Sequence, residues 1–142
     1  MILLDTNVIS EALKPAPSAK VVNWLDANFA GSAISSITIF ELGAGIGMLP
    51  AGKRKVALEN AVARLVRRFG ARVYPFDAGA AQAAAQLLGR ARARGRALQQ
   101  VPHKLADLQI AGIASAYGLE LATRNIGDFA GLGLSLINPW DI

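Results

Sequence analysis

Five short apolar segments recur along the chain with helix-length stretches between them, and this alternation limits the folds open to it. The segments cover residues 1–4, 33–35, 71–76, 120–123 and 134–137. Helical patterning fills the gaps: residues 6–13, residues 19–29, SITIFELGAGIGML from Ser36 or Thr38, Lys53 to Phe69, an alanine-rich stretch from Asp77 to Arg94, and 104–117. Pro15 and Pro17 end the first helix, Ser18 offers a cap for the second, and Asp77 caps the alanine-rich one. Residues 95–103 read as a loop and RNIGD as a polar turn. Strands separated by helices pair in parallel, because the chain must cross over before the next strand can join the sheet. The expected fold is therefore α/β: a three-layer sandwich with a central, mostly parallel sheet flanked by helices. No internal repeat or linker divides the 142 residues, so one domain over 1–142 is expected.

In such sheets ligands collect beyond the carboxyl ends of the strands. Polar residues placed directly after a strand are therefore the first candidates for chemistry. The opening MILLDTN runs from strand to Asp5 in one step, and Asn125 and Asp128 follow ELAT. Composition narrows the chemistry further. There is no cysteine and one histidine, His103, so thiolate catalysis, disulfides and multi-histidine metal sites are excluded. The longest charge-free run, Ala27 to Phe40, is too short to span a bilayer, and no basic region precedes a cleavable apolar stretch. A cytoplasmic protein without a membrane partner is expected. Hydrophobic residues make up 53% of the chain, which suggests that some apolar surface is covered by another subunit or partner.

Four acids break the local pattern. Asp5 and Asp128 follow strands; Glu41 is the one charge among Ile37, Ile39, Phe40, Leu42 and Ile46; Asp107 is the one acid in an otherwise apolar helix. Each has a plain structural reading. Asp5 can cap a helix, Glu41 can face solvent, Asp107 can complement a helix dipole, and Asp128 or Asn125 can close a turn. Together they admit a second reading, because the fold can bring them to one edge of the sheet. Three carboxylates about 5 Å apart repel by roughly 3 kcal/mol per pair at an effective dielectric near 20. A divalent cation relieves that repulsion while leaving the ligands ionised, and an all-oxygen set points to Mg²⁺ or Mn²⁺.

The stretches DTNVISE, FELGAGI, HKLADLQIAGIASAYGL and ATRNIGDF, in that order, resemble the PIN-domain ribonucleases, and most closely bacterial VapC-type toxins including the FitB-like group. The resemblance covers essentially the whole chain and implies a PIN-like sandwich. It implies that Asp5, Glu41 and Asp107 hold the metal, with Asp5 and Asp107 as direct ligands and Glu41 either binding metal or orienting water. Asp128 is the favoured fourth acid, with Asn125 positioning substrate or water, although either can stand behind the ligands. Thr6 and Asn7 match residues that steady the first aspartate, and Thr123 opens the TRN segment as a further polar support. The implied activity is Mg²⁺-dependent endonucleolytic cleavage of RNA, in which metal-activated water attacks phosphorus and the 3′ oxygen leaves without a protein nucleophile. The implied partners are a cognate antitoxin and a second copy of the chain, as a homodimer.

The formal net charge of +5 permits a polyanionic partner. With the four candidate acids set aside, 15 cationic side chains face six acids, a balance that suits an acidic pit in a basic RNA-facing surface. The densest basic run holds Arg90, Arg92, Arg94 and Arg96; its structural reading is a solvated helix end. His103 reads as a loop residue near the site rather than a base, and Trp24 and Trp140 as packing residues. Two other functions stay open: a PIN-domain RNA-processing nuclease without an antitoxin, and a non-catalytic RNA-binding domain with structural acids.

Overall fold

The computed structural model describes residues 1–95 and 102–142, without the side chains of residues 102–104. The elements run β1 (Ile2–Leu4), α1 (Thr6–Ala12), α2 (Ala19–Asn28), β2 (Ser32–Ser35), α3 (Ser36–Gly47), α4 (Lys53–Phe69), β3 (Val73–Tyr74), α5 (Ala78–Ala93), α6 (Pro102–Tyr117), β4 (Glu120–Ala122), α7 (Ile126–Phe129) and β5 (Leu136–Ile137). The strands form one five-stranded sheet in the order β3-β2-β1-β4-β5, and every pairing is parallel.

Both faces of this sheet are covered, which is why consecutive positions such as Leu3 and Leu4, or Leu121 and Ala122, are apolar without alternation. Leu3, Ala33 and Leu121 point into a core shared with α5 and α6. Their neighbours Leu4, Ile34 and Ala122 point the other way, into a core built with α1 to α4. The expected three layers are thus observed. Helix α6 lies unusually close to α5 at Gly112, where an added Cβ would stand 2.6 Å from the Ala80 carbonyl oxygen and 2.7 Å from the Ala84 Cβ. Small residues on both helices permit that approach, which packs α6 closely on α5.

Several boundaries differ from expectation for local reasons. Helix α6 starts at Pro102 rather than 104, since proline suits the first turn of a helix. The polar turn after β4 contains the short helix α7, anchored by Phe129, which is 1% exposed. In α4 the buried stripe passes through Leu58, Val62 and Phe69; Val56 is off that stripe and 55% exposed, and Ala63 is exposed too. The basic run at the end of α5 is partly used internally: the Arg90 guanidinium donates to the Leu132 carbonyl at 3.0 Å. Arg96 and most of the expected loop lie outside the described residues, as does the His103 side chain.

Candidate active site

The strand order changes direction at β1. From β1 the chain builds outward through β2 and β3, then returns to lay β4 on the opposite side. Such a switch point leaves a crevice beyond the carboxyl ends of the two neighbouring strands. Leu4 pairs with Ala122, so the next residue of each strand, Asp5 and Thr123, emerges at the same level. The Asp5 N–H extends the ladder to the Ala122 carbonyl at 2.9 Å. The Thr123 hydroxyl then donates to Asp5 Oδ2 at 2.8 Å. Asp5 occupies the N-cap position of α1 but makes no side-chain capping bond. It is 2% exposed, and its Oδ1 is buried without a hydrogen-bond partner. The structural reading of Asp5 as a cap therefore fails for its side chain.

Helix α6 crosses this edge and brings Asp107, 8% exposed, to the same place. The Asn125 side-chain amide donates to Asp107 Oδ2 at 3.0 Å. The backbone N–H of Asn125 donates to the Thr123 hydroxyl oxygen at 3.0 Å. One tight turn after β4 thus holds both aspartates, Asp5 through Thr123 and Asp107 through Asn125. Burial, then the charge of Asp107 and to a smaller extent that of Glu41, raises the Asp5 carboxyl from its ordinary 3.8 to about 7, although the Thr123 hydroxyl and the nearby Thr6 N–H oppose the rise.

Glu41 approaches from α3, half-buried. It accepts a hydrogen bond from the Thr6 hydroxyl at 2.6 Å. Thr6 therefore steadies Glu41 with its side chain, while its backbone N–H lies beside Asp5. Asn7 is exposed on the same turn. Two fully buried hydroxyls, Ser35 and Thr38, extend the Thr6 contact; in the sequence Ser35 reads as a strand end and Thr38 as a helix starter. Of the two fourth-position candidates, Asn125 touches Asp107 directly, while Asp128 lies half-buried in α7 with its N–H on the Asn125 carbonyl at 3.2 Å. A cleft of about 270 Å³ opens beside Glu41 and Thr6, bordered by Ser10, Leu42, Lys14 and Arg54.

The residues present suit a divalent cation at Asp5 and Asp107. Asp5 offers an oxygen that no protein donor satisfies, beside a second carboxylate whose charge it feels. All donors are oxygen, as Mg²⁺ and Mn²⁺ prefer. Among the described residues, no three acidic or histidine side chains are drawn into one ready metal cage. Asp107 and, more weakly, Glu41 both raise the Asp5 carboxyl by their charge, so the three acids share one electrostatic neighbourhood.

The model of the PIN domain matches residues 2–132. The chain belongs to the PIN domain family. Relatives of this PIN domain extend along its full length. A plasmid stability protein, StbB of Pseudomonas syringae pv. tomato, is 46% identical over 143 residues, covering 99% of each chain. The VapC ribonuclease Y4jK of Sinorhizobium fredii is 38% identical over 99% of each. Toxin FitB of Neisseria gonorrhoeae is 38% identical over 99% of each, and the crystal structure of FitAcB from that organism covers 100% of both chains with a TM-score of 0.89. No helix among the described residues is long and apolar enough to cross a membrane.

Proposed function

We propose that this PIN domain is a divalent-metal-dependent endoribonuclease and the toxin of a type II toxin–antitoxin module, acting in the cytoplasm. The observation that carries the reading is the pair of buried aspartates at the switch point, one with an unsatisfied oxygen and a pKa pushed up to about 7. Relatives named VapC ribonuclease and toxin FitB support the substrate class and the biological role. Asp5 and Asp107 hold the cation, Mg²⁺ or Mn²⁺. When bound, it neutralises the two carboxylates, activates water and stabilises charge on the scissile phosphate. Thr123 and Asn125 orient the aspartates for that task. Glu41 Oε1 is occupied by the Thr6 hydroxyl, which leaves Oε2 to orient the attacking water and accept its proton. Lys14 and Arg54 border the cleft beside Glu41 and attract the flanking phosphates of RNA. Asp128 is a supporting acid on α7.

Protein partners fit the exposed apolar side chains on α3, the helix that carries Glu41. Phe40 is 73% exposed and Met48, just beyond its end, is 87% exposed. A cognate antitoxin and a second copy of the chain are the proposed partners. The functional test is cleavage of structured and unstructured RNA with Mg²⁺, with EDTA, and in Asp5→Asn and Asp107→Asn. Cleavage that needs the cation and both aspartates is expected; equal activity in all arms would overturn the reading. Growth arrest on expression, relieved by Asp5→Asn and by a small neighbouring gene, separates the toxin from an RNA-processing nuclease.

A further inference from the structure

Glu41 is not held by one contact alone. Behind it runs a file of three hydroxyls. The Thr6 hydroxyl donates to Glu41 Oε1 at 2.6 Å, the Thr6 and Thr38 hydroxyl oxygens stand 2.9 Å apart, and the Ser35 hydroxyl donates to that of Thr38 at 3.3 Å. The Thr38 backbone N–H closes the file on the Ser35 hydroxyl oxygen at 3.0 Å. Thr38 and Ser35 are both 0% exposed, so solvent does not reach either of these two hydroxyls.

Proton counting gives this file one direction. A hydroxyl has one proton to donate. Thr6 gives its proton to Glu41, so between the two threonines Thr6 accepts and Thr38 donates. Thr38 in turn accepts from Ser35, whose oxygen caps the first turn of α3. Each hydroxyl thus orients the next, and each bond polarises the following one toward the carboxylate. The N-terminus of α3 and the glutamate one turn further along the same helix are tied through a residue of α1.

We propose that Thr38 is a positioning residue for Glu41, acting through Thr6 as the middle of a one-way chain of buried hydroxyls. The inference rests on the nuclease reading for its functional consequence, but the geometry can be tested without it. Thr38→Val keeps the shape and the backbone N–H that caps on Ser35, and removes only the hydroxyl. Crystal structures of the wild type, Thr38→Val and Thr38→Ser read the chain directly. The Thr6–Glu41 contact should be lost in Thr38→Val and kept in the wild type and in Thr38→Ser; its survival in Thr38→Val would overturn the proposal.

Kinetics give the second readout. Thr38→Val should lower kcat for RNA cleavage about tenfold with KM for RNA unchanged, and Thr38→Ser should restore it. In a Thr6→Val background, adding Thr38→Val should have no further effect, because the path to Glu41 is already cut. Independent, additive losses would show that Thr38 does not act through Thr6. Failure of the nuclease reading looks different: wild-type protein with the intact contact and no cation-dependent cleavage.

Discussion

Two buried acids, six residues apart on one strand–helix unit, are treated in opposite ways. Glu11, 7% exposed, has both oxygens engaged: Lys14 Nζ donates to Oε1 at 3.1 Å, and the Ser18 backbone N–H donates to Oε2 at 3.2 Å. Those donors, the Lys14 hydrogen bond first, hold its carboxyl below the ordinary value of 4.5. Asp5, 2% exposed, has one satisfied oxygen and one orphan, and faces Asp107 rather than a cation. Glu11 fastens the α1–α2 turn. Asp5 stores unfavourable charge where a ligand can relieve it. Burial of an acid by itself therefore says little; the inventory of donors around it separates a strut from a reactive site.

The sharpest way to break this contrast is to neutralise each acid. Asp5→Asn should reduce RNA cleavage by a hundredfold or more and leave the fold intact. It should also raise the Tm at pH 8, because the amide oxygen still accepts from Thr123 while the repulsion with Asp107 is gone. Glu11→Gln should do the reverse, lowering the Tm while the folded fraction keeps its cleavage rate. Thermal melts and cleavage assays on the two variants decide it. A lowered Tm in Asp5→Asn would place Asp5 among the struts.

Proton linkage offers the next test, on protein freed of divalent cations. Between the unfolded Asp5 value of 3.8 and about 7, the folded protein holds a proton that the unfolded chain has released. Stability contributed by that proton is complete below 3.8 and declines as pH rises through about 7, by at most about 4 kcal/mol. Glu11 has the opposite sign: its contribution is present above 4.5 and lost as pH falls through its lowered folded value. Urea titrations from pH 4 to 8 should show the decline in the wild type and its loss in Asp5→Asn. A wild-type profile that rises steadily with pH would contradict the charge balance assigned to Asp5. A smaller effect is expected at the turn that holds the aspartates. Thr123→Val removes the donor to Asp5 Oδ2 and should lower kcat about tenfold, as steady-state cleavage rates would show.

Much of this layout was legible in the sequence, for identifiable reasons. A carboxylate directly after a buried strand, and lone acids on apolar helices at Glu41 and Asp107, stand out because burying them is costly. The parallel sheet followed from strands alternating with helices. What stayed hidden depends on side-chain direction and cross-chain register. Nothing in DTN tells that Thr6 turns to Glu41 while Asn7 faces outward. The placement of Asn125 and Asp128 depends on α7, whose four residues give too little periodicity to read. Ser35 looked like a strand end and Thr38 like an ordinary helix starter, because the Thr38 contact to Thr6 joins residues 32 apart in the chain.

We propose that Asp5 and Asp107 form a strained pair that a divalent cation completes. The most direct test is Mn²⁺ or Mg²⁺ titration by calorimetry and thermal melting at pH 6 and pH 8. A cation-induced rise in Tm is expected for the wild type, with tighter binding at pH 8 than at pH 6, proton release on binding, and loss of all three in Asp5→Asn. Equal cation binding by wild type and Asp5→Asn, or none by the folded wild type at pH 8, would contradict the proposal.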